Sequence, residues 1–126
     1  MDFDSGRPIY MQIIEDFKKR MIRGELTKGD KIPSQREYAQ SAHINPNTVQ
    51  RAYREMEYMG LVETIRGQGT FVSVSDETIV KLKKEMVERL VVDFISDMKE
   101  LGFTFKEIEE MIKEMLEKGG FFNDRV

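Results

Sequence analysis

The sequence predicts a mainly α (α+β) chain, with an N-terminal winged helix-turn-helix domain followed by a short two-helix tail. Three observations predict it. Pro33 to Tyr53 reads as two helices joined by a tight turn. Two β-rich runs with a glycine-bearing loop between them follow at once. From Asp76 onward, apolar residues recur at helical spacing in two blocks parted by Gly102.

Taken in order, Pro8 starts the first helix and Gly24 stops it. Its apolar stripe of Ile13, Ile14, Phe17 and Met21 is expected to pack beneath the motif, while Lys18-Lys19-Arg20 reads as a solvated face. Glu25 to Lys31 is a turn with Gly29. It leads to an extended piece, Lys31-Ile32, placed to add a third strand to the wing sheet. Ser34-Gln35-Arg36-Glu37 opens the next helix as a capping box, since the Ser hydroxyl and the Glu carboxylate three residues later can each take a backbone N–H. Ala39 and Ala42 keep that helix slim. His43-Ile44 makes the turn, with His43 expected in a packing role. Asn45 then serves as N-cap and Pro46 as first residue of the second helix. Gly60 suits the left-handed position that ends it. Leu61–Ile65 and Thr70–Val74 are β-rich strands around the turn Arg66-Gly67-Gln68-Gly69, and together they make a hairpin, the wing.

The second helix of such a motif enters the major groove of DNA. At about 100° per residue, Val49, Ala52, Tyr53 and Met56 fall on one side. Asn47, Gln50, Arg51 and Arg54 fall on the other. Asn and Gln can pair bidentately with adenine, and Arg with guanine. Thr48 and Asn45 sit at the helix N-terminus, where backbone N–H groups favour phosphate. No acidic residue occurs between Glu37 and Glu55 to repel the DNA backbone. A solvated polar face is the competing reading of this helix. The wing tip offers Arg66 and, at Gly67 and Gly69, a backbone that can approach DNA closely. The competing reading there is an ordinary turn, which a wing tip needs in any case.

These blocks carry a resemblance. The runs Gly24-Glu25-Leu26, Gly29 to Ala39 (GDKIPSQREYA), Asn45 to Tyr53 (NPNTVQRAY), Gly60-Leu61-Val62 and Gly67 to Val72 (GQGTFV) resemble the GntR family of bacterial transcription regulators. The likeness spans roughly Arg7 to Ser75 and rests on several ordered blocks at consistent spacing. The recognition-helix block and the short tail are similar to the YtrA subfamily, whereas most other members carry a Ser-Arg-Thr-Thr-like start there. The resemblance implies a DNA-binding domain over residues 7–75. In it Arg36 contacts DNA across the groove, and Asn45, Asn47, Thr48 and Gln50 lie at base edges and flanking phosphates. Arg66 and Gly67 reach the minor groove, and Ser34 touches phosphate. The helix face itself adds Arg51 and Arg54 as candidate contacts, with a plain surface role weighed equally for Arg54.

Composition narrows the function. The 126 residues suffice for a modest core but not for a large ligand-binding domain. Cysteine is absent, which excludes disulfides and thiolate metal sites and fits a reducing cytoplasm. There is no N-terminal apolar run and no apolar stretch approaching about 18 residues, so neither signal peptide nor membrane span is expected. One histidine, no cysteine and no glycine-rich phosphate loop argue against an enzyme. No cofactor and no metal are expected. The net charge is −3. Residues 1–74 hold 11 Lys+Arg and 10 Asp+Glu, and residues 75–126 hold 9 and 13, so the acidic excess sits in the tail. A nearly neutral DNA-binding half predicts weak non-specific binding.

The tail, residues 76–126, is expected to form two helices. The first, capped by Ser75 or Asp76, runs to Leu101 and carries too wide an apolar surface for a helix packed on one neighbour. The second is capped by Thr104 with Glu107 as its capping-box partner and ends at Gly119-Gly120. Two helices cannot enclose a core alone, so pairing with a second chain into a four-helix dimer core is expected. Leu82, Met86, Leu90, Phe94, Met98, Ile108, Met111, Ile112 and Met115 are the expected dimerisation residues, and the resemblance implies the same dimerisation tail. Phe121-Phe122 is placed to fold back on it. The methionines read as adaptable packing, or alternatively as the lining of an effector pocket. A small-molecule effector, if there is one, is expected at the dimer interface or between tail and wing. The function expected is a sequence-specific DNA-binding transcription regulator, a dimeric repressor on a pseudo-palindromic operator. The alternative is a winged-helix module that binds protein instead.

Overall fold

The computed structural model describes residues 3–119. Its elements are α1 (Ile9–Ile22), β1 (Lys31–Ile32), α2 (Gln35–Ala42), α3 (Pro46–Tyr58), β2 (Val62–Ile65), β3 (Gly69–Val72), α4 (Asp76–Glu100) and α5 (Phe105–Lys118). Phe121-Phe122 and Gly120, named above, lie outside the described residues. The chain divides into two compact units, one up to Lys83 and one from Lys84, so the division falls inside α4.

In the first unit, helices α1 to α3 enclose a core with the small sheet. Ile13, Ile14, Phe17 and Met21 of α1 are all buried, as the stripe predicted. So are Val49, Ala52, Tyr53 and Met56 of α3, and Leu61, Val62, Val72 and Val74 of the wing region. Three rings tie the three helices together. Phe17 of α1, Tyr38 of α2 and Tyr53 of α3 stand with centroids 5.7, 6.0 and 6.2 Å apart, two of the contacts edge-on, the geometry aromatic quadrupoles favour. The Tyr53 hydroxyl donates to the Pro33 carbonyl at 2.6 Å. That bond pins α3 to the residue just before the α2 cap.

The sheet is antiparallel, in the order β1-β3-β2. Lys31-Ile32 does form its third strand, with Lys31 opposite Phe71 and Ile32 opposite Thr70. The hairpin pairs Val62 with Val72 and Ile65 with Gly69. Each strand is one residue shorter than its β-rich run, with β2 starting at Val62 and β3 running from Gly69 to Val72. Leu61 and Val74 are buried, but as core residues flanking the ladder.

Before α1, residues 4–7 are held by one side chain. Buried Gln12 accepts from the Asp4 N–H at 2.7 Å and donates to the carbonyls of Asp4 and Arg7 at 2.7 and 3.0 Å. Its amide thus adds to the single backbone bond within this segment, from the Arg7 N–H to the Asp4 carbonyl.

The second unit is built differently. None of the 25 residues of α4 is buried. Val87, Leu90, Val91, Phe94 and Leu101 are exposed, as are Phe105, Ile112, Met115 and Leu116 of α5. Met86, Met98 and Met111 are half-buried. Two residues expected at the dimer face are otherwise engaged. Leu82, with Ile79, packs half-buried against the core of the first unit, and Ile108 is buried within the chain at 4% exposure. Both are apolar, and one chain supplied each with cover. Ser75, not Asp76, caps α4, its Oγ accepting from the Thr78 N–H at 3.1 Å. Thr104 and Glu107 form the second capping box, and left-handed Gly119 ends α5.

Candidate nucleic-acid interface

Ser34 caps α2 through both halves of its box. Its Oγ accepts from the Glu37 N–H at 3.1 Å, and Glu37 accepts from the Ser34 N–H at 3.0 Å. These bonds hold the Glu37 carboxyl below its usual range. The Ser34 hydroxyl keeps its own proton to donate outward. Arg36 follows on the exposed side of α2.

Between α2 and α3 the chain turns at His43, whose φ of 56° makes it the one non-glycine residue with positive φ among those described. It is exposed. The packing role expected of it is therefore corrected: His43 serves through its backbone, as the left-handed residue that ends α2. Asn45 caps α3 by accepting from the Asn47 N–H at 2.8 Å.

The outward face of α3 is as the spacing placed it. Asn47, Gln50, Arg51 and Arg54 are exposed, and Thr48 is half-buried. Asn47 and Gln50 share an open cleft of about 610 Å³ with Gln35, Arg36, Ala39, Gln40, Ile44 and Pro46. Its lining mixes apolar Ala39, Ile44 and Pro46 with amides and a guanidinium, a mix that suits the edge of a base pair and its sugar-phosphate flank. Gln40 was not singled out from the sequence. It lies one turn after Arg36, and that spacing was the available signal.

Arg51 differs from its neighbours. Its guanidinium lies 3.8 Å from the centroid of the Tyr10 ring, and Nη2 donates to the Tyr10 hydroxyl at 3.2 Å. Tyr10 lies 41 residues earlier, and no local pattern could have revealed it.

At the wing tip, the Gln68 N–H donates to the Ile65 carbonyl at 2.9 Å, and Gly67 has φ 80°. That is a turn needing positive φ at its third position, as in type II. Arg66 and Gly67 are exposed there. The wing is tied to α3 by the Thr64 hydroxyl. Thr64 donates to Glu57 at 2.7 Å and pairs with buried Thr70 at 3.0 Å. Where the tip turn enters β3, Gly69 has φ 130°, and the Lys31 chain lies where a Cβ would stand, its Cε at 2.7 Å. Lys31 thus lies across the wing, a second cation there that the sequence did not flag.

Among the described residues no group of three or more His, Cys, Asp or Glu could hold a metal ion. No helix among them is long and apolar enough to cross a membrane.

Residues 9–72 match the model of the family described as "Bacterial regulatory proteins, gntR family". The chain is 47% identical to the uncharacterised HTH-type transcriptional regulator YhcF of Bacillus subtilis, over 93% of this chain and 97% of that one. It is 40% identical to the HTH-type transcriptional repressor YtrA of the same organism, over 98% of each. In structure it is similar to a GntR family transcriptional regulator from Listeria monocytogenes. The TM-score is 0.80 at 35% identity, covering 89% of this chain and 98% of the other. With the winged helix-turn-helix, the polar cleft and these relatives in hand, the chain belongs to the GntR family of bacterial regulatory proteins.

Proposed function

We propose that this DNA-binding transcription regulator, which is not an enzyme, works as a cytoplasmic homodimeric repressor. Each protomer sets α3 into the major groove of one half of a pseudo-palindromic operator. The observation that carries the reading is the exposed, acid-free face of α3 joined to the α2 cleft and the wing tip. On it Asn47 and Gln50 read base edges. Ser34, Arg36, Asn45 and Thr48 hold the backbone, and Arg66 and Gly67 follow the minor groove. Residues 7–75 form the DNA-binding domain, and residues 76–126 the dimerisation region. A relative of nearly the same length is named a repressor.

The dimer follows from the α4 surface. Val80, Val87, Phe94 and Leu101 recur every seven residues, with Val91 and Met98 four after the second and third. That is the interval of a helix seam laid against a like helix. A contiguous apolar surface of this kind marks an interface, and a second copy supplies the matching surface by symmetry. Leu90, Met111, Ile112 and Met115 extend it. Leu82 and Ile108, already covered by their own chain, do not belong to it. An effector, if one acts, would lie at this interface.

Fluorescence anisotropy tests the reading, comparing DNA upstream of the protein's own gene with a scrambled duplex at physiological salt. A gap of about a thousandfold or more is the expected result. Equal weak binding to both, and to duplexes selected from a random pool, would overturn it in favour of a protein-binding module.

A further inference from the structure

The recognition helix has two flanks, built differently. On the α2 side stand Arg36 and Gln40, across the cleft from Asn47 and Gln50. On the other side is the first turn of α1, and Arg51 leans that way, stacked on Tyr10. Tyr10 is partly buried against the core, so its ring is a fixed platform. Arg7, the neighbouring cation at that end, is paired with Glu15. The polar partner of Arg51, among the described residues, is the Tyr10 hydroxyl, which neutralises none of its charge.

A helix lying in the major groove runs between two phosphate strands, while guanine O6 and N7 lie on the groove floor. A guanidinium held over a ring beside the helix is aimed at a groove wall and would have to leave that ring to reach the floor. We propose that Arg51 and Tyr10 form a preassembled phosphate clamp on the α1 flank, Tyr10 being the positioning residue. The clamp takes a non-bridging oxygen of the DNA backbone and not a guanine edge. This rests on the DNA-binding reading above. One of the five N–H donors of Arg51 is engaged by Tyr10, which leaves the others for phosphate. The Tyr10 hydroxyl accepts from Arg51 and so fixes the direction of the guanidinium. Stacking also fixes a long side chain before DNA arrives, which lowers the ordering cost of the contact.

The test uses the full chain and a duplex it selects from a random pool, with anisotropy measured from about 50 to 200 mM salt. R51A should lower affinity about tenfold, by the same factor on the selected duplex and on each of its single-base variants. The slope of log K against log salt should shrink by about 0.9 per bound protomer. Y10A should weaken binding in the same direction, and in the R51A background it should cost nothing more. Y10F keeps the ring and serves as the second variant. It should lose a smaller factor with an unchanged melting temperature. Loss of preference at one guanine position in R51A would overturn the clamp, as would an unchanged slope. So would a Y10A or Y10F effect that is as large without Arg51 as with it. A wild-type protein that selects no duplex sinks the DNA-binding reading itself, whereas wild-type selectivity with an unaltered R51A slope sinks only the clamp.

Discussion

At the residue scale, His43 holds a conformation that glycine adopts without steric cost. An L-residue in the left-handed region costs about 1–2 kcal/mol, and no polar partner among the described residues offsets it. His43→Gly should therefore stabilise the fold by about 1 kcal/mol, seen as a higher urea midpoint with unchanged DNA affinity. A lower midpoint would mean the imidazole does something the backbone does not. Tyr53 is the opposite case. Burial pushes its phenol far up, and its hydroxyl holds the Pro33 carbonyl. Tyr53→Phe should cost about 1–3 kcal/mol by leaving that carbonyl unpaired. Asn47→Ala should lose about 1–3 kcal/mol of discrimination at one adenine position, read by titrating single-base operator variants. Exposed polar residues on α3 were legible in the sequence because a helix has a fixed period. The Tyr10–Arg51 stack was not, because only the folded chain brings α1 to α3.

At the element scale, both capping boxes were legible for a local reason: cap and partner lie three residues apart, within one turn. The same bonds make an acid prediction. Glu37 and Glu107 both titrate below the ordinary 4.5 because backbone N–H groups favour their charged forms. Their contribution is complete above that value and is lost as pH falls through the lowered folded values. Replacing both with Gln should flatten the fall of the urea midpoint below pH 4.5, and an equally steep fall in the double variant would contradict this. Strand ends were less legible, since Leu61 and Val74 look like strand residues but owe their apolar character to the core. Gly69 combines φ 130° with Lys31 lying in its Cβ position. The flexible lysine end can move aside, but the backbone cannot, so Gly69→Ala should cost about 1–3 kcal/mol through φ alone.

At the scale of the whole molecule, the sequence showed that the tail holds more apolar surface than one chain can cover. It could not show which residues the chain itself covers, because Leu82 and Ile108 have the same chemistry and spacing as their exposed neighbours. Leu90→Asp should turn a sedimenting dimer into a monomer, since a charge buried without a partner costs several kcal/mol. The unaltered protein should melt at a temperature that rises with its concentration. The methionines also make the molecule a graded chemical probe of its own assembly. Met21 and Met56 are sealed at 1% and 0% exposure, Met11 and Met59 stand open on the winged unit, and Met115 stands open at 48% on α5. Peroxide converts an accessible thioether to its sulfoxide and spares a covered one. Under limited peroxide, mass spectrometry should find Met11 and Met59 oxidised at one rate at every dilution, with Met21 and Met56 untouched throughout. Met98, Met111 and Met115, which the proposed pairing covers, should quicken as the sample is diluted, so their oxidation reports how much of the protein stands as single chains.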